Sequence, residues 1–197
     1  FQYSLHIKEK KSTTKVVELE NEGRKLKLYE TANYIKHKEY LAPSNGIDPR
    51  RALAEQLCKD IPKNVCTLAY NNMFECGRIR ELAALYPDLA PHLLNIADHI
   101  VDLIDPFRAG DYYVPAMGGS FSIKSVLPAL FPDEPSLNYH NLDERCQNGG
   151  DAMTIFPRIK DMEPAEAAAS REALLRYCEL DTWAMVKVWE KLKEMAK

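Results

Sequence analysis

Two carboxylates occupy positions where a helix ordinarily carries apolar side chains. From about Pro164 to the C-terminus, Leu174, Cys178, Met185, Trp189 and Leu192 recur at helical spacing. Projected at about 100° per residue, Asp181 falls between Leu174 and Val188, inside that stripe. A carboxylate aimed at a core is costly unless something pairs with it, so Asp181 calls for a Tyr, a backbone amide, an Arg or a cation. Tyr177 lies one turn earlier on the neighbouring edge, and its hydroxyl can enter the same pocket. Glu75 repeats the pattern, in line with Ile79, Leu82 and Tyr86 at offsets of four, seven and eleven. A local role also suits Glu75: Asn72-x-x-Glu75 forms a capping box, and a first-turn carboxylate complements the helix dipole. Taken together, two inward acids beside a Tyr offer hard oxygen ligands to magnesium or manganese. Two carboxylates alone are too few for a two-metal site.

The elements that must hold these residues follow from periodicity. Phe1, Tyr3, Leu5 and Ile7 alternate with polar residues, as do Lys15–Leu19 and Lys25–Tyr29 about a Glu22-Gly23 turn, which predicts an antiparallel meander over roughly the first 35 residues. After Pro49 the spacing becomes helical. A short apolar run at Val65–Tyr70 reads as a buried strand, followed by helices near Phe74–Tyr86 and Ala90–His99 and a strand at Ile100–Leu103. Ser120–Leu127 reads as a capped helix start after Gly118-Gly119, residues 133–150 as loop with a short helix near Ala152, and the C-terminal helix as bent or broken near Leu180. The expectation is one α/β domain over residues 1–197 with a mixed sheet, antiparallel strands first and then parallel ones, flanked by helices.

Composition narrows the partners. The 197 residues carry 26 basic and 29 acidic side chains, a net charge of −3, so no global basic field holds a long duplex. No apolar run approaches the roughly 18 residues of a membrane span, and the first residues lack a signal-peptide pattern. Five scattered cysteines without a C-x-x-C pair read as reduced thiols of a cytoplasmic protein. His6, His37, His92, His99 and His140 show no spacing to a nucleophilic Cys and read as surface or packed residues. Tyr112-Tyr113 reads as a loop anchor or a base-stacking pair, and Asp102 as a residue that caps or pins a loop.

Tyr177-Cys178-Glu179-Leu180-Asp181-Thr182 resembles the third motif of Tyr-type DEDD 3′–5′ exonucleases, and Tyr70-Asn71-Asn72-Met73-Phe74-Glu75 resembles their second, with Glu75 where Asp is usual. Ser120–Pro128 is similar to a helix start found between those motifs in polymerase proofreading domains. More broadly, Asp48-Pro49-Arg50, Tyr70-Asn71, Phe74-Glu75, Gly119-Ser120, Lys124, Val126-Leu127-Pro128 and Tyr177–Thr182 resemble an uncharacterised bacterial family, a domain of unknown function placed with ribonuclease-H-like folds. The resemblance implies a ribonuclease-H-like fold and two divalent ions, magnesium or manganese. It implies Glu75 and Asp181 as metal ligands and Tyr177 as the residue that orients the attacking water. Asn71 and Lys124 would then contact substrate, with Arg78 and Arg80 as further phosphate contacts.

The DEDD pattern also needs a D-x-E motif on its opening strand. The D-x-E here, Asp161-Met162-Glu163, lies between the second and third motifs in a polar segment and reads as coincidence. The expectation is that the first strand lies upstream in a longer parent chain with further domains, and that this fragment alone is inactive or very weak. Two function classes stand: hydrolysis from the 3′ end of a single strand, or a non-catalytic module that binds nucleic acid or docks a protein.

Overall fold

The computed structural model describes residues 1–18 and 25–196, with side chains described outside residues 10–33. The chain opens in one long hairpin, β1 (Gln2–Glu18) and β2 (Lys25–Leu41), antiparallel from Gln2↔Leu41 to Glu18↔Lys25. The expected meander is therefore two long strands: the alternating run at Phe1–Ile7 and the described part of the next, residues 15–18, both feed β1, and Leu19 and the Glu22-Gly23 turn lie outside the described residues. Helix α1 (Arg50–Asp60) leads to β3 (Thr67–Ala69), then α2 (Met73–Leu85), α3 (Ala90–Asp98), β4 (Ile100–Asp102) and the single turn α4 (Asp105–Arg108). After two further short helices, α5 (Ile123–Leu130) and α6 (Gly149–Ile155), the chain ends in α7 (Pro164–Met195). Prolines in the first turns of α3, α4 and α7 suit their starts, where an amide hydrogen has no helical partner to lose.

β3 and β4 pair in parallel through Thr67↔Ile100, Leu68↔Val101 and Ala69↔Asp102. The single mixed sheet expected from the sequence is thus two sheets among the described residues, β1–β2 and β3–β4. Sequence alternation gives strand type and face; it does not say which strands share an edge. The expected break in α7 is also absent: the helix runs unbroken for 32 residues, because Leu180 is buried in the same face as Ala184 and Val188. That face lies to one side of the anticipated stripe, whose Cys178, Met185, Trp189 and Leu192 are only partly buried.

Period-two alternation on β1 divides the molecule into layers. Tyr3 and Leu5 pack against Ala54, Leu57, Ile79, Leu82, Leu93 and Ile96, the core formed by α1, α2 and α3, and Ile100 of β4 joins the same core. Ser4 and His6 point the other way and meet Thr182 of α7. Buried Asp60 ties the hairpin to α1: it accepts from Tyr3 Oη at 2.7 Å, Lys38 Nζ at 2.9 Å and Gln56 Nε2 at 3.0 Å. Burial opposes ionisation of Asp60, but these three donors overcome it and hold the carboxyl below its ordinary range.

A second core gathers Phe107, Met117, Val126, Leu127, Leu137 and Tyr139 around Leu180, Ala184 and Val188 of α7. A third places Leu174 and Ala173 of α7 against Cys146, Ala152 and Ile159, with the Phe1 and Phe156 rings stacked 4.1 Å apart at its edge. Arg171 of α7 donates to the carbonyls of Ala42 at 2.8 Å and Leu41 at 3.2 Å and to Ser44 Oγ at 2.9 Å, fixing the end of β2. The five cysteines are free thiols, and burial pushes Cys178 up to about 12. No helix among the described residues is long and apolar enough to cross a membrane.

Phe107 is fully buried, with the Tyr70 and Tyr112 rings 6.3 and 6.0 Å away. Phe107→Ala is expected to cost about 3–5 kcal/mol, the range for truncating a core aromatic, read as a lowered midpoint in urea unfolding.

Candidate functional site

α7 sets Asp181 and Tyr177 on neighbouring edges of its inner face, as the spacing anticipates. The partner of Asp181 is a residue outside both motifs: Tyr139 donates its hydroxyl to Asp181 Oδ1 at 2.8 Å. Tyr139 sits on a single 3-10 turn between Leu137 and Leu142, which both pack into the second core, and Asn138 caps that turn by accepting from the His140 amide at 3.0 Å. The Tyr139 and Tyr177 rings lie 6.2 Å apart, tilted by 56°. Burial raises Asp181 above the ordinary carboxylate range, against the Tyr139 hydrogen bond and the positive charge of Lys124. The same burial, with Asp181 nearby, raises the Tyr177 phenol, which therefore keeps its proton.

The second wall is the turn from β3 into α2. Asn71 takes a left-handed backbone, φ 60°, a conformation that Asn adopts more readily than most residues. Asp102, 9% exposed at the end of β4, accepts from the amides of Asn71 at 2.7 Å, Asn72 at 2.9 Å and Ile104 at 3.1 Å. Asp102 is thus the loop-pinning residue expected, and it serves the start of α2. The Asn72–Glu75 capping box does not form, because Asn72 makes no side-chain cap and its own amide is already taken by Asp102. Glu75 lies in the first turn of α2, one turn before buried Ile79 on the same face, and the residue is exposed where an inward position was expected. Its carboxyl is nevertheless raised, first by the protein around it, then by the negative charges of Asp181 and Asp102, with a bond from its own backbone N–H acting the other way.

Lys124 enters from the first turn of α5, its ammonium 5.3 Å above the Tyr139 ring and 3.2 Å from the Gln147 carbonyl it donates to. Asn71 presents its side-chain carbonyl to Arg108 Nη2 at 3.1 Å. Tyr177, Asp181 and Lys124 therefore gather around Tyr139, whereas Glu75 makes no side-chain hydrogen bond or ion pair to any of them among the described residues. Arg78 and Arg80 are engaged elsewhere, by Glu81 and Asp98. Asp161-Met162-Glu163 is exposed or half-exposed where a 3-10 turn meets α7. Tyr112 packs on Phe107, and Tyr113 remains 47% exposed.

The histidines hold a second feature that sequence spacing hides. His37 Nε2 lies 2.8 Å from Ser4 Oγ, Ser4 Oγ lies 2.9 Å from Thr182 Oγ1, and Thr182 Oγ1 lies 2.9 Å from His6 Nδ1. The two imidazoles stack with centroids 4.8 Å apart. His6 and His37 are 31 positions apart in sequence but directly opposed in the hairpin register, a relation that hairpin pairing alone reveals.

The donor chemistry of the site, carboxylate oxygens from two helices, suits a hard divalent cation. The number of donors does not close one: among the described residues no three His, Cys, Asp or Glu side chains converge to hold a metal ion.

The raised carboxyls carry a stability signature. The folded protein keeps protons on Asp181 and Glu75 at pH values where the unfolded chain has released them. Their contribution is therefore full below the ordinary carboxylate range and is lost as pH rises through the raised folded values. Asp181→Asn and Glu75→Gln remove that loss. Each variant is expected to be more stable than the wild type near pH 7 without added divalent cation, the difference vanishing below about pH 4; urea unfolding across pH measures it. Asp102→Ala removes three bonds from a buried carboxylate and is expected to cost at least about 1.5–3 kcal/mol in the same assay.

Neither a curated protein nor a solved structure matches the chain. The sequence profile of a family described as Domain of unknown function (DUF2779) matches residues 1–122, which take in the hairpin, the β3–α2 turn with Asn71 and Glu75, and β4 with Asp102. The match stops short of Lys124, Tyr139, Tyr177 and Asp181. Covering well over half of the sequence, it shows that the chain belongs to the DUF2779 family.

Proposed function

We propose that this chain is the larger part of a ribonuclease-H-like, metal-dependent 3′–5′ exonuclease domain that hydrolyses phosphodiesters at a single-stranded nucleic-acid end. One observation supports the reading: Tyr177 and Asp181 of α7 and Lys124 of α5 gather around Tyr139, whose hydroxyl donates to Asp181 at 2.8 Å, whose ring lies 6.2 Å from that of Tyr177 and whose face carries the Lys124 ammonium at 5.3 Å. The Y-x-x-x-D spacing and the strand-to-helix setting of Asn71–Glu75 agree with that chemistry. Asn71 and Lys124 are the substrate contacts of this reading, with Tyr177 placed to orient water.

The reading requires two more carboxylates, a D-x-E on an added strand. Among the described residues all four strands pair on one edge alone, and the hairpin and the parallel pair face the same α1–α3 core. An added strand paired on one of these edges would carry the two acids the donor set lacks. The donor set would then suffice for two magnesium or manganese ions.

A second reading keeps the fold and drops catalysis, leaving a nucleic-acid-binding or protein-docking module in a larger protein. It is favoured by Glu75 at the usual Asp position and by the lack of a three-donor cluster among the described residues.

The test is manganese-dependent cleavage of a 5′-labelled single strand by the full-length gene product, with Asp181→Ala as control. Stepwise shortening from the 3′ end that disappears in the control is expected, and Tyr177→Phe should lower the rate by about 10²–10⁴-fold. No cleavage by a folded full-length protein that carries D-x-E would leave the binding module. Residues 1–197 alone are expected to cleave very weakly or not at all.

A further inference from the structure

Ser4 and His6 face away from the α1–α3 core and, with His37 directly opposite His6 on β2, close a polar seam against α7. The seam is continuous: His37 Nε2 lies 2.8 Å from Ser4 Oγ, Ser4 Oγ 2.9 Å from Thr182 Oγ1, and Thr182 Oγ1 2.9 Å from His6 Nδ1. Ser4 is buried, the two imidazoles stack 4.8 Å apart with their planes 25° from parallel, and the Trp183 ring lies 5.3 Å from His6. We infer that this histidine pair is a pH-sensitive latch: the hairpin holds α7 while at most one imidazole is charged, and lets go of it when both are.

The charges around the pair are unevenly placed. On β2, Glu39 Oε2 lies 4.0 Å from His37 Nε2; on α7, Glu179 Oε1 lies 3.8 Å from His37 Nδ1, while its other oxygen takes Arg176 at 3.1 Å. Cys178 of α7 is a thiol that burial keeps protonated, and Lys8 of β1 sets its ammonium over the Trp189 ring, 4.3 Å from the centre. A proton on His37 therefore has two carboxylates beside it. A second proton, on His6, has none within ion-pair distance among the described residues and meets the first across the stack. Burial and the neighbouring His37 charge accordingly hold His6 below the ordinary histidine value, with Glu179 pulling the other way. The doubly charged pair still donates inward from both rings, so what opposes it is the repulsion of two cations in a half-buried seam. A folded chain that excludes the His6 proton binds fewer protons than the unfolded chain in mild acid. The seam is thus at full strength above about pH 6.5 and weakens as pH falls below it. Opening is confined to the seam, because Asp60 with Tyr3 and Lys38, and Arg171 on the end of β2, hold the hairpin elsewhere.

The experiment takes the full-length protein from about pH 8 to about pH 5 and follows isotope-labelled histidine side chains by NMR alongside amide hydrogen exchange, expressed as protection factors. His6 and His37 are expected to take up protons in two steps at least about one pH unit apart, as coupled groups do. Protection over residues 4–7, 36–39 and 180–184 should fall at least about tenfold below about pH 6.5 while α1 keeps its own. His6→Asn leaves a polar atom near the linking nitrogen and cannot charge, so the fall should disappear in that variant. His37→Gln removes the opposing cation, so His6 should take its proton at higher pH. Protection that is flat across the range, or that falls equally in His6→Asn, overturns the inference. A His6 midpoint that ignores His37→Gln overturns it as well. Should either variant fail to fold, the wild-type titration decides: one common midpoint for both rings overturns the latch, and two separated steps with a loss of protection at the seam support it. Asp181 and Glu75 act with the opposite sign as pH falls, so a loss at the seam does not come from them.

Discussion

The architecture hangs on the several faces of α7. One helix of 32 residues is asked to complete two cores, receive a hairpin and place an acid, and it does so by spending a different side on each task. Leu180, Ala184 and Val188 close the core that contains Phe107, and Leu174 with Ala173 closes the one around Cys146. Thr182 takes the hairpin, and Arg171 holds its departing strand. A helix engaged on that many sides cannot rotate to hide Asp181 from the interior. Its register is set by aliphatic packing, and the acid goes where the register puts it. The cost of a half-buried carboxylate is then offset in part, by the Tyr139 hydroxyl and the nearby Lys124 charge, and the carboxyl still stays raised.

The opposite wall is built on a different principle. Glu75 stands in the first turn of α2, on an exposed position, and its place comes from backbone chemistry: the left-handed turn at Asn71 and the carboxylate of Asp102 gathering three amides. One acid is placed by side-chain packing along a long helix, the other by a hydrogen-bonded corner between strand and helix.

This contrast explains what was legible in the sequence. Helix positions, the approximate strands and the inward aim of Asp181 follow from local period, so α1, α2, α3 and α7 were readable to within a few residues. Tyr139 was not, because its role depends on a contact 42 positions away and its own segment reads as loop. Nor was the His6–His37 pair, brought together by hairpin register across 31 positions. The capping box at Asn72 was legible and misleading: a capping pattern says what a residue is able to bond, and here the competing acceptor, Asp102, sits on a strand 30 positions away. The separation into two sheets was illegible for a further reason, since alternation tells a strand which way its side chains face and nothing about its neighbour.

The polar chain between the hairpin and α7 obeys a strict proton inventory. Its three links join His37 Nε2, Ser4 Oγ, Thr182 Oγ1 and His6 Nδ1, and each link needs one hydrogen. The two hydroxyls supply two. The third must come from a ring, so at least one imidazole carries its hydrogen on the nitrogen that faces inward, and when Thr182 turns its own hydrogen back to the Cys178 or Glu179 carbonyl both must. The backbone bond of a single threonine therefore dictates the tautomers of two histidines on strands it does not belong to.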